Sequence, residues 1–191
     1  DLPYGTGLYE KKDYYAVKIP VFSDAKLTDV DVAVGPEMKS TGEVLGIDRD
    51  LSRAIYKGFL GAGMNIPDSG TVFVSLRDHD KNENSGKIIR LYSDMGFKIC
   101  ASEGTGRFLR ENGIPAKIMA YSEVEPLIGS EMKILINTPK AINQIGADTF
   151  PLRRAAIERG LPVLTCMDTA RAFAAAVELR QKNAKLSFER L

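Results

Sequence analysis

The sequence has no excess of charge of one sign, no long apolar run and almost no cysteine. Its 191 residues carry a formal net charge of +1, and 44% of them are hydrophobic. Because there is no basic run and no interleaving of basic with aromatic residues, nucleic acid is not expected as a partner. No apolar segment reaches membrane-spanning length, and no charged and then apolar signal sequence follows Asp1. We therefore expect a cytoplasmic protein without a membrane partner.

The two cysteines, Cys100 and Cys166, lie at or near the ends of predicted strands. Neither belongs to a CxxC motif or has a histidine beside it, which disfavours both a metal site and a disulfide framework. We expect both to be reduced thiols in the protein core, and we expect no metal site in this chain.

What the sequence does contain is a βαβ pattern over 71–109. Thr71–Ser75 is β-branched and aromatic without charge, which predicts a strand buried on both faces of a parallel sheet. A helical spacing follows from Asp80, and it is marked by Ile88, Leu91, Tyr92 and Met95. Gly96 stands where a helix C-terminal glycine is expected, and 97–100 is predicted to be the next strand.

The residues after this second strand predict an anion site. Ser102 can cap a helix that starts at Glu103, and Gly104 with Thr105 leaves backbone N–H groups open beside two hydroxyls. Lys81 falls in the first turn of the preceding predicted helix, where the dipole disfavours a cation unless an anion is near. The ends of parallel strands meet at one sheet edge, so these groups are expected to converge. The alternative is that Ser102 is only a helix cap and Lys81 only a solvated lysine.

The first part of the chain, 1–47, has strand character but too little material to close a core. Apolar residues alternate within 14–22, at Tyr15, Val17, Ile19 and Val21. A second extended piece is predicted at 30–34. Such strands would expose their edges unless they paired with something else, so we expect the chain to be the tail of a longer protein.

The remaining segments complete an α/β pattern. Asp48 is predicted to cap a helix in which Leu51, Ile55 and Phe59 recur every fourth residue. The glycines and proline of 61–70 form a linker to the main domain. Further strands are predicted at 117–120, 133–137 and 163–165, and further helices at 151–159 and 168–181.

These elements predict a Rossmann-like, three-layer α/β domain with a mostly parallel sheet of five strands. The chain then divides into a first strand-bearing part, a connecting helix with its linker, the main domain and a polar tail, at 1–47, 48–68, 69–181 and 182–191.

Several strings resemble the carbamoyl-phosphate synthase large chain. VGPEMKSTGEVLGID at 34–48 resembles the end of the second ATP-grasp half of that family. GTVFVSLRDHDK, GFKICASEGTGRFLRENGIP, ILINTP and LRRAAIERGLPVLT resemble, in order and spacing, its C-terminal regulatory domain. The resemblance implies a methylglyoxal-synthase-like fold preceded by a partial ATP-grasp tail.

The resemblance also implies a function. The family makes carbamoyl phosphate for pyrimidine and arginine biosynthesis, using ATP with Mg or Mn and a glutaminase small subunit, and its catalytic residues would lie outside this chain. We expect this part of the ligase to need no cofactor, to have no catalytic residues of its own and to bind an allosteric effector. The effector would be uridine monophosphate (UMP), inosine monophosphate (IMP) or N-acetylglutamate.

The positions that match the effector site of the family are Ser75, Lys81, Ser102, Thr105, Tyr121, Asn137 and Thr138. Ser102 replaces the usual threonine, and Tyr121 stands where nucleotide-responsive bacterial chains tend to have lysine. Pro139 and Lys140 replace a hydroxyl-rich continuation. An aromatic residue at 121 is more similar to the N-acetylglutamate type. For Asn137 the alternative is a polar cap on a buried strand.

Glu43 matches a carboxylate that helps to bind ornithine in the family, and Thr165 is a candidate partner from the last strand. The alternative for Glu43 is a local salt bridge. Arg153 and Arg154 match a family Arg–Arg pair, to which we assign a structural role.

Two rival functions remain open. A stand-alone methylglyoxal synthase would share the fold and needs a carboxylate base. Its Gly-Gly-Asp-Gln segment is absent from YSEVEPLIGSE at 121–131, and His79 with Asp80 lacks its spacing to lysine, which leaves Asp148 as the matching aspartate. The other rival is a scaffold or homo-oligomerisation module with a vestigial pocket.

Overall fold

The structure is a computed structural model that describes residues 5–7, 10–23, 38–139 and 149–186. Within these ranges the elements are β1 Tyr15–Val21, β2 Gly42–Asp48, α1 Leu51–Gly61, β3 Thr71–Ser75, α2 Glu83–Asp94, β4 Lys98–Ala101, α3 Glu103–Glu111, β5 Lys117–Ile118, α4 Tyr121–Val124, β6 Met132–Asn137, α5 Phe150–Glu158, β7 Val163–Leu164 and α6 Met167–Gln181.

The main domain is built on a five-stranded sheet in the order β5-β4-β3-β6-β7. All four strand pairings are parallel. Because side chains alternate along a strand, Val72 and Val74 of β3 enter one core and Phe73 enters the other. The predicted three-layer, Rossmann-like α/β fold is confirmed.

Each face of the sheet is covered by helices that contribute buried apolar residues. Residues of α1, α2, α3 and α6 join the core on one face, and residues of α4 and α5 join the core on the other. The buried Tyr92 hydroxyl of α2 donates to the Ala170 carbonyl of α6 at 2.6 Å. Burial raises the pKa of Tyr92 above its ordinary value, so this hydroxyl keeps its proton and the bond.

The N-terminal segment forms an antiparallel hairpin of β1 and β2, with Ile19 opposite Val44. The strand predicted over 14–22 is confirmed as β1. The strand β2 was not anticipated, because Gly42 and Gly46 interrupt its β-branched residues. The extended piece predicted at 30–34 lies outside the described residues.

Helix α1 begins at Leu51 and is capped by Asp50, whose side chain accepts a hydrogen bond from the Arg53 backbone N–H at 2.9 Å. The prediction that Asp48 is the cap was wrong. Asp48 ends β2, where its Oδ1 accepts from the Asp50 backbone N–H at 3.1 Å and its Oδ2 lies 2.8 Å from Lys57 Nζ. Leu51 is exposed, and the core-facing residues of α1 include Phe59.

Helix α2 also starts later than predicted. A 3-10 turn occupies Asp78–Asp80, and the Asn82 side chain caps the helix by accepting from the Ser85 backbone N–H at 3.1 Å. Lys81 therefore precedes the helix instead of lying in its first turn. The predicted C-terminal glycine is confirmed, since Gly96 has φ +88°.

The other predicted elements are found close to their expected limits. Strands β5 and β7 have two residues each, and the predicted helices at 151–159 and 168–181 correspond to α5 and α6. Cys100 is buried as expected, whereas Cys166 is exposed at the start of α6, which corrects its assignment to the core. Across the described ranges, no helix combines the length and apolar character that crossing a membrane requires. The domain limits given above stay a prediction.

Candidate functional site

The candidate site lies at the carboxyl edge of the sheet, around β3. The chain runs from β3 to β4 and β5 on one side and then returns to place β6 on the other side of β3. Ser75 ends β3, Ser102 follows β4, and Asn137 ends β6. Such a reversal of strand order opens a crevice where α/β proteins bind ligands.

The hydroxyl groups of Ser102 and Thr105 connect the start of α3 to the end of β3. Thr105 is fully buried, and its Oγ1 accepts from the Leu76 backbone N–H at 2.9 Å. Ser102 Oγ donates to the same oxygen at 3.2 Å instead of capping α3. Because the Ser102 hydroxyl is turned toward Thr105, the arrangement does not support a pure capping role for Ser102.

Lys81 lies against the first turn of α3. Its Nζ is 3.1 Å from the position that a Cβ on Gly104 would occupy, so the ammonium group lies close to the backbone of this turn and a side chain at 104 would crowd it. The same Nζ lies 2.6 Å from Asp78 Oδ1. A cation at a helix N-terminus is unfavourable by itself, and the Asp78 carboxylate offsets that cost.

Asn137 joins β6 to β3 and to α5. Its Nδ2 donates to the Ser75 carbonyl at 3.2 Å, and its Oδ1 accepts from Arg153 Nη1 at 2.7 Å. Arg153 also donates to Thr149 Oγ1 at 2.9 Å. Asn137 and Arg153 are both buried, so this geometry fits the polar-cap interpretation of Asn137. The geometry also shows which residue Arg153 would hold in its assigned structural role, namely Asn137.

Thr138 belongs to a second polar group, which holds the loop after β3. Its Oγ1 accepts from the Arg77 backbone N–H at 3.0 Å, and Arg77 Nε donates to Asp80 Oδ2 at 2.8 Å. Burial raises the pKa of Asp80, but hydrogen bonds from Arg77, Thr138 and His79 outweigh it and bring the pKa below its ordinary value. Sequence reasoning missed this role of Asp80, since its partner Thr138 is distant in sequence.

Tyr121 closes the site from the start of α4. Its hydroxyl lies 2.9 Å from Ser75 Oγ, and its ring meets that of Phe73 edge-on, with 6.1 Å between centroids. An aromatic ring with a hydroxyl group thus stands at the position where nucleotide-responsive chains of the resembled family tend to have lysine.

The structure does not bring Glu43 and Thr165 together. Glu43 lies on the outer face of the hairpin, with an oxygen 2.7 Å from Lys18 Nζ, so the local salt bridge is present. Thr165 lines a mostly apolar cavity of about 680 Å³ between β1, α1, β7 and the start of α6. Among the described residues that line it, Asp168 supplies a carboxylate and Glu43 does not take part.

Within the described ranges, no group of three or more His, Cys, Asp and Glu side chains could hold a metal ion. Lys140 and Asp148 lie outside the described residues. The candidate site therefore offers one ammonium group, hydroxyls and a helix N-terminus, which is a donor set for a small anion.

Comparison with known proteins gives a consistent result. The MGS-like domain family matches residues 86–165. The carbamoyl phosphate synthase large chain of Clostridium acetobutylicum is 44% identical over 190 residues, which is 98% of this chain. The carbamoyl phosphate synthase large chains of Clostridium perfringens and Clostridium botulinum are 42% and 43% identical over 96% and 97% of it. The chain spans about 18% of the length of these relatives.

Proposed function

We propose that the carboxyl edge of the sheet binds an anionic effector. The chain carries an MGS-like domain and is homologous to the C-terminal part of the carbamoyl phosphate synthase large chain. The resemblance deduced from the sequence motifs is thereby confirmed at the level of the family. The effector site and its regulatory role are the proposal.

One observation carries this proposal. The Lys81 ammonium lies over Gly104 at the N-terminus of α3, in the turn whose Ser102 and Thr105 hydroxyls are bonded to each other. A phosphate or carboxylate placed there would meet a full positive charge and the positive end of the helix dipole, while the fully buried Thr105 anchors the Ser102 hydroxyl in the same turn.

The shape of the site bears on which effector binds. The described part of the edge has one ammonium group at Lys81 and an aromatic ring at Tyr121, bonded to Ser75. UMP, IMP and N-acetylglutamate each carry an anionic group for Lys81. The ring of Tyr121 in place of a second cation favours N-acetylglutamate, because fewer phosphate-directed charges are available.

In the larger protein, effector binding would regulate ATP-dependent carbamoyl phosphate synthesis. That synthesis would use ATP with Mg or Mn in other parts of the protein, together with a glutaminase small subunit. Effectors of this kind typically change the affinity of a second site by about 1 to 3 kcal/mol. Helix α1 is a physical route for this coupling, since it packs on β2 and on α6 of the main domain.

The cavity lined by Thr165 is the candidate for an ornithine-type site. Its described lining contains one carboxylate, Asp168, and many apolar side chains. A ligand ammonium would pair with Asp168 there, while Glu43 would have to act from the outer face of the hairpin.

The stand-alone synthase has less support in the described residues. Asp80, the carboxylate nearest in sequence to Lys81, is bonded to Arg77 and Thr138, which leaves it poorly placed to take a proton from a substrate. Methylglyoxal release from dihydroxyacetone phosphate by the purified chain would revive this alternative.

The test of the effector site is thermal unfolding of the chain with UMP, IMP, N-acetylglutamate and ornithine in turn. A ligand at about 100 times its dissociation constant adds about 2.7 kcal/mol, which raises the midpoint by several degrees. Lys81→Ala should abolish the shift caused by UMP, IMP or N-acetylglutamate.

The matched control is Lys87→Ala, which removes the same charge from an exposed ion pair in α2. It should keep the shift. A shift with one of the three effectors that persists in Lys81→Ala, or no shift with any of them, would overturn the proposed site.

A further inference from the structure

We infer that the Asp80 carboxylate positions Lys81 for the anion, by holding the turn from which the Lys81 side chain projects. This inference rests on the proposed effector site. Asp80 is a positioning residue, because a carboxylate repels an anion and would act on its binding through Lys81.

Lys81 follows a single turn of 3-10 helix, Asp78–Asp80. The Asp80 backbone N–H donates to the Arg77 carbonyl at 3.0 Å, and the Lys81 backbone N–H donates to the Asp78 carbonyl at 3.1 Å. These bonds fix the point at which the Lys81 side chain leaves the turn. A turn this short has little stability of its own, so its position depends on contacts with other elements.

The residues that precede the turn are attached to two of those elements. The Leu76 backbone N–H donates to Thr105 Oγ1 of α3 at 2.9 Å. The Arg77 backbone N–H donates to Thr138 Oγ1, which follows β6, at 3.0 Å. The start of the turn is therefore held between α3 and the end of β6.

Asp80 holds the other end of the turn, next to Lys81. Arg77 Nε donates to Asp80 Oδ2 at 2.8 Å, and Arg77 Nη2 donates to Oδ1 at 3.4 Å, so this pair bridges the turn. Burial raises the pKa of Asp80, but hydrogen bonds from Arg77, Thr138 and His79 bring it below its ordinary value. The carboxylate is thus ionised at neutral pH, and its bond with Thr138 ties this end of the turn to β6.

The ammonium group of Lys81 is closely placed against α3. Its Nζ is 3.1 Å from the position that a Cβ on Gly104 would occupy. Its 2.6 Å pair with Asp78 lies within the same turn, so we expect that pair to persist when the turn moves. The bonds of Asp80 instead connect the turn to β6. Because binding groups must be held within about 0.5 Å of their productive position, loss of these bonds should weaken the site.

Charge and positioning predict opposite effects of Asp80→Asn on anion binding. Removing a negative charge near the anion should strengthen binding on Coulomb grounds. Losing the position of Lys81 should weaken it. Both Asp80 oxygens accept hydrogen bonds, and an asparagine amide replaces one of them with a donor. We therefore expect weaker binding.

The test is isothermal titration of the purified chain with inorganic phosphate at pH 7, at a temperature at which each variant is folded. Asp80→Asn should raise the dissociation constant about three- to ten-fold, the factor that corresponds to the net contribution of one hydrogen bond. Glu83→Gln is the charge-matched control, since it removes a carboxylate from an exposed pair with Lys87, and it should leave the dissociation constant unchanged or lower it. Asp80→Glu, which keeps the charge and both acceptors, should bind phosphate more tightly than Asp80→Asn.

The rate at which lysines react with an amine-acetylating reagent reports the position of Lys81 directly. The Lys81 side chain is 21% exposed, whereas that of Lys87 is 71% exposed. In Asp80→Asn, Lys81 should be acetylated faster than in the wild type, while Lys87 keeps its rate. Lys57 of α1, with a side chain 14% exposed, should also keep its rate. An equal rise at Lys57 would mean that Asp80 supports the fold as a whole, and would overturn its positioning role.

The titrations separate this inference from the proposed function. Phosphate binding that requires Lys81 but is equally tight or tighter in Asp80→Asn would overturn the inference alone. Phosphate binding that is unchanged in Lys81→Ala, or absent in the wild type, would overturn the effector site and this inference with it.

Discussion

Two regions of this molecule each carry a lysine–carboxylate pair of almost the same length, and only one of them lies in a candidate site. Lys81 and Asp78 are 2.6 Å apart at the sheet edge, and Lys18 and Glu43 are 2.7 Å apart on the hairpin. The distance therefore does not distinguish them. What differs is the environment of the lysine.

At the sheet edge, Lys81 lies against a helix N-terminus among buried side chains bonded to one another. On the hairpin, the Lys18 and Glu43 side chains are 64% and 52% exposed, on the outer face of a two-stranded sheet. Solvent screens the second pair, so it contributes little. The buried polar surroundings, and not the short ion pair, therefore distinguish the candidate site from the hairpin.

The largest effect is expected from breaking the buried hydrogen bonds between side chains at the sheet edge. Arg153→Ala would remove the guanidinium group that donates to Asn137 Oδ1, which is buried, and to Thr149 Oγ1, which is partly buried. We expect a loss of about 3 kcal/mol in the free energy of unfolding, measured by urea denaturation.

Arg159→Ala is the control, because it removes a guanidinium group from the exposed end of the same helix, where it donates to the Glu125 carbonyl. We expect it to cost less than about 1 kcal/mol. Equal losses in the two variants would mean that the buried hydrogen bonds of the edge are not its main support.

The hairpin is stabilised by close contact between the backbones of β2 and α1, whereas the sheet edge is stabilised by buried side-chain hydrogen bonds. A Cβ on Gly46 would lie 2.1 Å from the Ala54 carbonyl oxygen and 2.6 Å from the Gly58 nitrogen. Gly46→Ala must therefore push β2 away from α1, and we expect a loss of about 2 kcal/mol in the same measurement.

Gly42→Ala is the matched control on the same strand. Its Cβ would meet Val21 Cβ at an ordinary 3.8 Å, so the expected change is within about 0.5 kcal/mol. The phosphate affinity of folded Gly46→Ala should equal that of the wild type. A weakened affinity would show that the hairpin and the edge are not independent.

The contrast also explains what could be predicted from the sequence. The strands of the sheet were predictable because each has an apolar centre, VFV in Thr71–Ser75 and ILI in Met132–Asn137. The pairing partner of β1 was not predictable, because Gly42 and Gly46 interrupt the strand pattern of β2. Of the two, Gly46 is required by the close contact of β2 with α1.

The candidate site was predictable in part for a similar reason. Ser102 and Thr105 lie three residues apart, and their placement follows from one strand and one helix. The partners of Asn137 and Thr138 are distant in sequence, at Arg153 and Arg77. The spacing of residues along the chain does not reveal such long-range contacts, so they could be identified only from the structure.

A smaller effect concerns the pH dependence of the edge. Burial raises the pKa of Asp80, but its hydrogen bonds with Arg77, Thr138 and His79 outweigh burial, so the folded-state pKa is depressed. A depressed pKa stabilises the folded state above the unfolded-state pKa of about 4, and that contribution is lost as the pH falls through the folded-state value. Asp80→Asn should thus be less stable than the wild type near pH 7, and the difference should shrink toward about pH 2.

Urea denaturation at several pH values measures this difference. Asp94→Asn, at the exposed end of α2, is the control, since it leaves the contacts of Arg77 and Thr138 intact. If the difference in the free energy of unfolding between Asp80→Asn and the wild type were the same near pH 7 and at about pH 2, the ionised form of Asp80 would not stabilise the fold.

The smallest expected effect bears most directly on the comparison of the two ion pairs. Lys18→Ala removes an exposed lysine whose partner Glu43 stays solvated, so the free energy of unfolding should change by less than about 0.5 kcal/mol. The phosphate dissociation constant should also stay at the wild-type value, whereas Lys81→Ala should abolish binding. Titration of both variants with inorganic phosphate measures the contrast. Equal weakening in the two would mean that the anion responds to the net charge of the chain and not to the ammonium group above Gly104.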